Sequence, residues 1–108
     1  MPGGEFEDKR VFERVMVNLP VRFLDAGSNK EGVGRTENIS AKGLGFYTDE
    51  QLLPMTPLEM WVELPDKGES LYTRGEVVWS RGSGNKYRAG VNLERADLMG
   101  MSRLLRVV

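Results

Sequence analysis

The chain has 108 residues and a formal net charge of −1, with 40% hydrophobic and 29% charged residues, which suits one globular domain with a single core. This charge balance argues against a general binder of DNA or RNA, which would carry a strong basic excess. The chain contains no cysteine and no histidine, which excludes disulfides, thiolate metal sites, cysteine catalysis and a Ser-His-Asp triad.

The first half of the chain predicts three strands behind a short arm. Residues 1–9 are rich in glycine and charge, and we expect a flexible N-terminal arm there, followed by one domain over residues 10–108. Residues 15–25 place apolar side chains at every second position, which predicts the first strand. Pro20 inside it favours a sheet edge or a bulge. The second and third strands are predicted over residues 32–39 and 44–48.

The second half predicts three more strands and a helix. We expect residues 48–57 to form a loop whose Leu52 and Leu53 tuck under the core. Residues 58–64, 70–81 and 86–94 alternate as strands, with Gly75 marking a bulge or a close-packing point. The following segment changes to helical spacing, with apolar residues that share one face. They are Leu98, Met101, Leu104 and Leu105.

Six short strands and a C-terminal helix around one small core define the predicted architecture. Closing an antiparallel sheet into a barrel removes its exposed edges. The sequence therefore predicts an all-β fold, a six-stranded antiparallel β-barrel with a C-terminal α-helix.

Two short motifs carry the chemistry of the chain. The first places Arg10 and Arg14 four residues apart, and the second is Asn38-Ile-Ser40-Ala-Lys-Gly43. The planar fork of arginine matches guanine O6 and N7 and also pairs bidentately with phosphate. The amide and the hydroxyl both donate and accept hydrogen bonds, and a glycine permits close approach. Either motif alone is more simply a pair of solvated charges or a turn.

The two motifs together resemble the signature of the PilZ domain family, which are receptors for the bacterial second messenger cyclic di-GMP. Residues 75–79 (Gly-Glu-Val-Val-Trp) and 89–93 (Ala-Gly-Val-Asn-Leu) look like later strands of that family, so the resemblance covers nearly the whole chain. Asn38 stands where aspartate is more frequent, and Leu93 stands where phenylalanine is common. The resemblance implies the same barrel and helix.

The resemblance also implies a ligand site. Its members are Lys9, Arg10, Arg14, Asn38, Ser40, Gly43, Trp79 and Arg81. For Trp79 the alternative is a strand tryptophan without ligand, and for Arg81 a solvated strand end. Trp61 is expected on the outer rim, and Arg88 is expected to point to solvent. In the family, the residue before the first arginine influences whether one ligand or a self-intercalated pair binds. A lysine there favours the pair, with one ligand as the alternative.

The resemblance implies a receptor that changes the conformation of its N-terminal arm on binding cyclic di-GMP and signals through a partner protein. The alternative is a PilZ-like interaction module without the nucleotide, although such modules usually lose the arginines that persist here. No nucleophile–base pair supports an enzyme, and we expect no cofactor, metal or nucleic acid polymer. There is no apolar run of membrane-spanning length and no signal peptide, which favours a cytoplasmic protein.

Overall fold

The computed structural model describes residues 13–94 and 98–107. These residues form seven strands and one helix: β1 (Val15–Met16), β2 (Pro20–Asp25), β3 (Lys30–Ile39), β4 (Gly43–Thr48), β5 (Pro57–Val62), β6 (Leu71–Ser83), β7 (Lys86–Leu93) and α1 (Leu98–Val107). Within the described ranges, no helix has the length and apolar character needed to cross a bilayer.

Six of the strands close into a barrel. They follow the order β3–β2–β5–β6–β7–β4, every neighbouring pair is antiparallel, and β4 pairs back with β3. The two-residue β1 adds to β3 beyond the end of β2. The predicted all-β fold, a six-stranded antiparallel barrel with a C-terminal helix, is confirmed.

The predicted first strand over residues 15–25 is not continuous, which corrects the sequence interpretation. It divides into β1 and β2, and both halves pair with β3. At the break, the buried hydroxyl of Thr36 accepts a hydrogen bond from the amide of Leu19 at 2.9 Å and donates to the carbonyl of Val17 at 2.5 Å. Pro20 has no amide hydrogen to extend the ladder. The side chain of Thr36 therefore replaces main-chain bonds where the strand is interrupted.

Alternating apolar positions of the strands fill the barrel, as the period of two predicted. Met101 and Leu104 of α1 join the same core. In the loop before β5, Leu52 is buried as expected, but Leu53 is 67% exposed, so the expectation that both leucines tuck under the core was half wrong. The buried apolar residues are Leu19, Val21, Phe23, Ile39, Ala41, Leu44, Phe46, Leu52, Leu58, Met60, Val62, Leu64, Val77, Ala89, Val91, Leu93, Met101 and Leu104.

An ion pair ties α1 to the turn between β5 and β6. Arg103 Nε lies 2.7 Å from Asp66 Oδ2, and both side chains are 24% exposed. The hydrogen bonds from Arg103, with a further one from the amide of Gly68, hold the pKa of Asp66 well below its usual range. The helix is therefore attached to the barrel by a charged contact as well as by its apolar face.

Candidate functional site

A bulge in β3 turns Asn38 to the outside of the barrel. On β4, Phe46 pairs with Thr36. The next residue, Gly45, pairs with Asn38, so Glu37 has no partner residue on that strand. An extra residue in a strand reverses which side chains face inward beyond it. Both Glu37 and Asn38 therefore reach the outer surface, although simple alternation would send one of them into the core.

A second bulge, in β6, does the same for Trp79. Val77 is buried and pairs with Val91 on β7. The neighbouring Gly90 pairs with Trp79, so Val78 has no partner residue. Val78 is half-exposed, and Trp79 lies on the outer face rather than in the core. The bulge predicted near Gly75 is thus at Val78 instead. Gly75 is the close-packing point, because a Cβ there would lie 2.5 Å from a main-chain oxygen of β7.

Two glycines separate Asn38 from Trp79. The cross-strand register runs from Asn38 to Gly45, then to Gly90 and then to Trp79. A Cβ built on Gly90 would lie 2.2 Å from the indole Nε1, and one built on Gly45 would lie 3.0 Å from the Asn38 amide nitrogen. We call these two residues the glycine floor. Because these two buried residues have no side chain, the Asn38 amide and the Trp79 indole lie directly against their backbone.

Above the glycine floor lies an open groove of about 420 Å³. The guanidinium of Arg14 donates a hydrogen bond to Asn38 Oδ1, which places the arginine at the end of the groove opposite Trp79. A Cβ on Gly43 would lie 3.1 Å from Arg14 Nη2. The lining residues are Arg14, Asn38, Ser40, Lys42, Gly43, Leu44, Gly45, Val78, Trp79, Gly90, Val91 and Asn92.

Ser40 shapes the loop between β3 and β4. Its hydroxyl accepts hydrogen bonds from the amides of Gly43 at 3.1 Å and Lys42 at 3.3 Å, and its own amide donates to the Gly43 carbonyl at 2.8 Å. The side chain of Ser40 is buried. The serine of the second motif therefore closes a tight turn, and this turn brings the loop backbone to the wall of the groove.

Beside the groove, Trp79 belongs to a group of aromatic and charged side chains. We call Trp79, Arg81, Arg88, Tyr47 and Glu37 the Trp79 cluster. The Cζ atoms of Arg81 and Arg88 lie 5.0 and 5.7 Å from the centre of the indole. Arg88 Nη2 also lies 2.6 Å from Glu37 Oε1. Arg88 lies on the outer face as expected, but its side chain is only 34% exposed, because it pairs with Glu37 from β3 on the same face.

The pKa of the Glu37 carboxyl is lowered, chiefly by its hydrogen bond from Arg88 and further by one from Tyr47, while burial acts in the opposite direction. The phenol of Tyr47 donates to Glu37 Oε2 at 3.1 Å. The carboxylate therefore stays ionised at neutral pH, and the pair contributes no net charge beside the groove.

The structure brings together most of the predicted site. Five predicted residues line the groove: Arg14, Asn38, Ser40, Gly43 and Trp79. Arg81 lies beside it, against the indole. Lys9 and Arg10 lie outside the described residues. The sequence reasoning missed the floor residues Gly45 and Gly90, although a glycine within a strand pattern signals a close approach of backbone or ligand.

The groove suits a flat, anionic molecule with hydrogen-bonding edges. Arg14 supplies a planar cation that can fork onto a phosphate or a purine edge. Asn38 supplies an amide, and the indole of Trp79 supplies a surface on which a base can stack. Among residues 13–94 and 98–107, no group of acidic side chains is placed to hold a metal ion.

A family model described as the PilZ domain matches residues 8–108 of the chain. No curated protein sequence matches the chain.

Solved structures of similar fold share little sequence with this chain. The motility inhibitor MotI/DgrA of Bacillus subtilis matches 86% of the chain with a TM-score of 0.68 at 17% identity, and the chain spans only 46% of that protein. The PilZ domain of CeSA from a cellulose-synthesizing bacterium gives 0.62 at 21% identity, covering 89% of this chain and 94% of that one. The PilZ domain of Escherichia coli YcgR, solved with cyclic di-GMP, gives 0.64 at 10% identity, covering 89% and 86%.

Proposed function

This chain belongs to the PilZ domain family, and on that premise we propose that it is a receptor for cyclic di-GMP. The observation that carries the proposal is the convergence of Arg14, Asn38 and Trp79 around the glycine floor. These residues come from three separate stretches of the chain and meet at one groove. The YcgR domain and the Borreliella burgdorferi protein PlzA, which share the fold, were solved with this nucleotide bound.

Each part of the ligand has a matching group in the proposed mode of binding. The guanidinium of Arg14 takes a guanine edge or a phosphate, and the amide of Asn38 holds a second polar edge. The indole of Trp79 stacks on a base, with Arg81 placed to approach a phosphate. Arg10 and Lys9 supply further cations from the N-terminal side. We assign no catalytic step and no cofactor to this site.

The proposed signal is a change in residues 1–14. The ligand gathers Arg10 and Arg14 against Asn38 on the barrel, and a partner protein in the cytoplasm recognises the closed form. Lys9 beside Arg10 gives this segment three cations, which favours a self-intercalated pair of ligands with four phosphate charges over one ligand. Amide exchange with and without the nucleotide tests the change, and equal protection of residues 1–14 in both states would contradict it.

Calorimetric titration of the chain with cyclic di-GMP tests the proposal. We expect binding, with two nucleotides per chain at the end point, and weaker binding of cyclic di-AMP, because adenine presents a donor where guanine presents O6. Equal affinity for both nucleotides would remove the guanine-specific argument. No binding of either would favour the alternative, an interaction module that has kept the fold without the ligand.

Replacing Arg14 by alanine separates a ligand contact from a surface charge. We expect R14A, like R10A, to bind about a hundredfold more weakly, because a charge-assisted contact to the ligand is lost. The matched control is R22A, which removes an exposed arginine from the outer face near Trp61 and should leave the affinity unchanged. Circular dichroism should show the same fold in all variants. An R14A chain that binds as well as its parent would make Arg14 a surface charge.

A further inference from the structure

Arg88 occupies the space between two aromatic rings on the outer face. Its Cζ lies 5.6 Å from the ring centre of Tyr47 and 5.7 Å from that of Trp79. Both distances fall within the range in which a guanidinium is attracted to an aromatic face. Arg88 is not among the residues that line the groove. Among the lining residues, Arg88 contacts the ring of Trp79.

Glu37 holds Arg88 in this place. The two side chains are only 21% and 34% exposed, whereas the pairs Arg74–Glu94 and Lys86–Asp49 are more than half exposed on both sides. Exposed ion pairs contribute little to the order of their side chains, because water and salt screen them. A covered pair that is also anchored by Tyr47 keeps a defined geometry.

Arg88 leaves one of its hydrogen-bond donors without a partner. Its Nε is buried and has no hydrogen-bond partner within the described residues, and a buried donor without a partner costs stability. The contacts that do fix the guanidinium are Glu37 on one side and the two ring faces. A lysine could pair with Glu37, but it has no planar group to lie against the rings.

From this arrangement we infer that Arg88 and Glu37 form a positioning pair that fixes the indole of Trp79 at the end of the glycine floor. The inference rests on the proposed function, because it names what sets the stacking surface of that same site. The guanidiniums of Arg81 and Arg88, which are cross-strand partners on β6 and β7, lie 5.0 and 5.7 Å from the centre of the indole. Preorganising a binding surface raises affinity because less freedom is lost when the ligand arrives.

Electrostatics makes the inference sharply testable. Glu37 is a negative charge beside a site for an anionic ligand, so a Coulomb argument alone expects E37Q to bind the ligand more tightly. The positioning pair predicts the opposite result. Without the carboxylate, Arg88 loses its anchor, Trp79 loses one of its two guanidinium neighbours, and binding weakens even though the site has become more positive.

The experiment uses the full chain carrying W61F, so that Trp79 is the single tryptophan. E37Q and R88K are titrated with cyclic di-GMP by calorimetry, and the emission of Trp79 is recorded without ligand. We expect affinity to fall about tenfold in both variants, the scale of coupling within one charged network, together with a shift in emission. The matched control is E59Q, which removes a carboxylate that accepts a hydrogen bond from Tyr72 elsewhere on the barrel. It should leave the affinity unchanged.

The outcomes are distinct for the pair and for the proposed function. Unchanged or tighter binding by E37Q would overturn the positioning role. If E37Q fails to fold, R88K decides, because an R88K chain with parental affinity and emission would also overturn it. If the parent binds no cyclic di-GMP, the proposed function fails. The emission of Trp79 then decides alone: a shift in E37Q and R88K without a comparable change in E59Q supports the pair, and its absence overturns it.

Discussion

Two tryptophans lie on the outer face of the barrel, and the groups of side chains to which they belong contain similar residue types. Trp79 has Arg81 and Arg88 beside its ring, and Arg88 in turn contacts Tyr47 and Glu37. Trp61 has Arg22 with its Cζ 5.1 Å from the ring centre and the Tyr72 ring at 5.5 Å, and the phenol of Tyr72 donates to Glu59 at 2.7 Å. We call Trp61, Arg22, Tyr72 and Glu59 the Trp61 cluster.

The two clusters differ in what lies across the strand. The cross-strand neighbours of Trp61 are Arg22 and Tyr72, whose side chains lie against its ring. The neighbour of Trp79 is Gly90, which has no side chain, and Gly45 follows on the next strand. Residue types alone therefore do not make a binding wall. The adjacent strand must also leave space above its backbone for the ring, as Gly90 does for the indole of Trp79.

Filling that space should have the largest effect. G90A places a methyl group where the indole Nε1 lies only 2.2 Å away, so the Trp79 ring must leave its position and the floor is no longer flat. We expect cyclic di-GMP to bind about a hundredfold more weakly or worse, because both stacking and close approach are lost. Calorimetry measures the affinity.

The matched control for the floor is G82A, in the same hairpin. A Cβ at Gly82 would meet nothing within 4 Å, so this variant should bind like the parent. Thermal unfolding of both variants checks the fold. If G90A keeps parental affinity while folded, the glycine floor is not where the ligand lies, and the difference between the two clusters has no functional meaning.

Removing each tryptophan in turn should have a smaller effect that is still unequal. We expect W79A to weaken binding about tenfold, since a stacked base contributes roughly 1–3 kcal/mol. W61A should leave the affinity unchanged and lower only the thermal stability, because the partly buried Trp61 ring packs against Tyr72. Equal losses of affinity in the two variants would show that the barrel has no preferred face for the ligand.

The smallest expected difference between the two clusters is in how their contributions to folding stability depend on pH. The pKa of Glu37 is lowered, chiefly by the hydrogen bond from Arg88. Its stabilising contribution is therefore complete above the pKa of an unfolded glutamate, about 4.3, and is lost as the pH falls through the lower folded value. The pKa of Tyr72 is raised, chiefly by its hydrogen bond to Glu59. That contribution is complete below about pH 10 and is lost as the pH rises through the higher folded value.

Urea unfolding of E37Q, Y72F and the parent across the pH range measures both contributions. The gap between parent and E37Q should be constant near neutrality and close in acid. The gap between parent and Y72F should close only in alkali. A gap for E37Q that is the same at pH 3 and pH 7 would show that the Glu37–Arg88 pair does not stabilise the folded chain.

Much of the fold could be predicted because the alternation of apolar residues is a local signal. Within each strand a period of two fixes which side chains are buried, and the core confirms this for most predicted positions. The prediction from local patterns failed where a residue from another strand contacts the segment. The strand over residues 15–25 breaks because the buried Thr36 binds its backbone, and Arg88 is partly covered because Glu37 pairs with it from another strand.

The class of fold and most of the candidate residues follow from patterns within the amino-acid sequence. Alternation, turn residues and the change to helical spacing are local sequence patterns, and the motifs that contain Arg14 and Asn38 are recognisable in the sequence. The construction of the groove depends on how the strands pair in the folded chain. The bulges at Glu37 and Val78 depend on the register of β3 with β4 and of β6 with β7, which alternation within one strand does not set, and each reverses the facing of the residues that follow. The pairing of β4 with β7 then joins the two hairpins, which are far apart in sequence. That reversal places Asn38 and Trp79 at opposite ends of one strip of backbone.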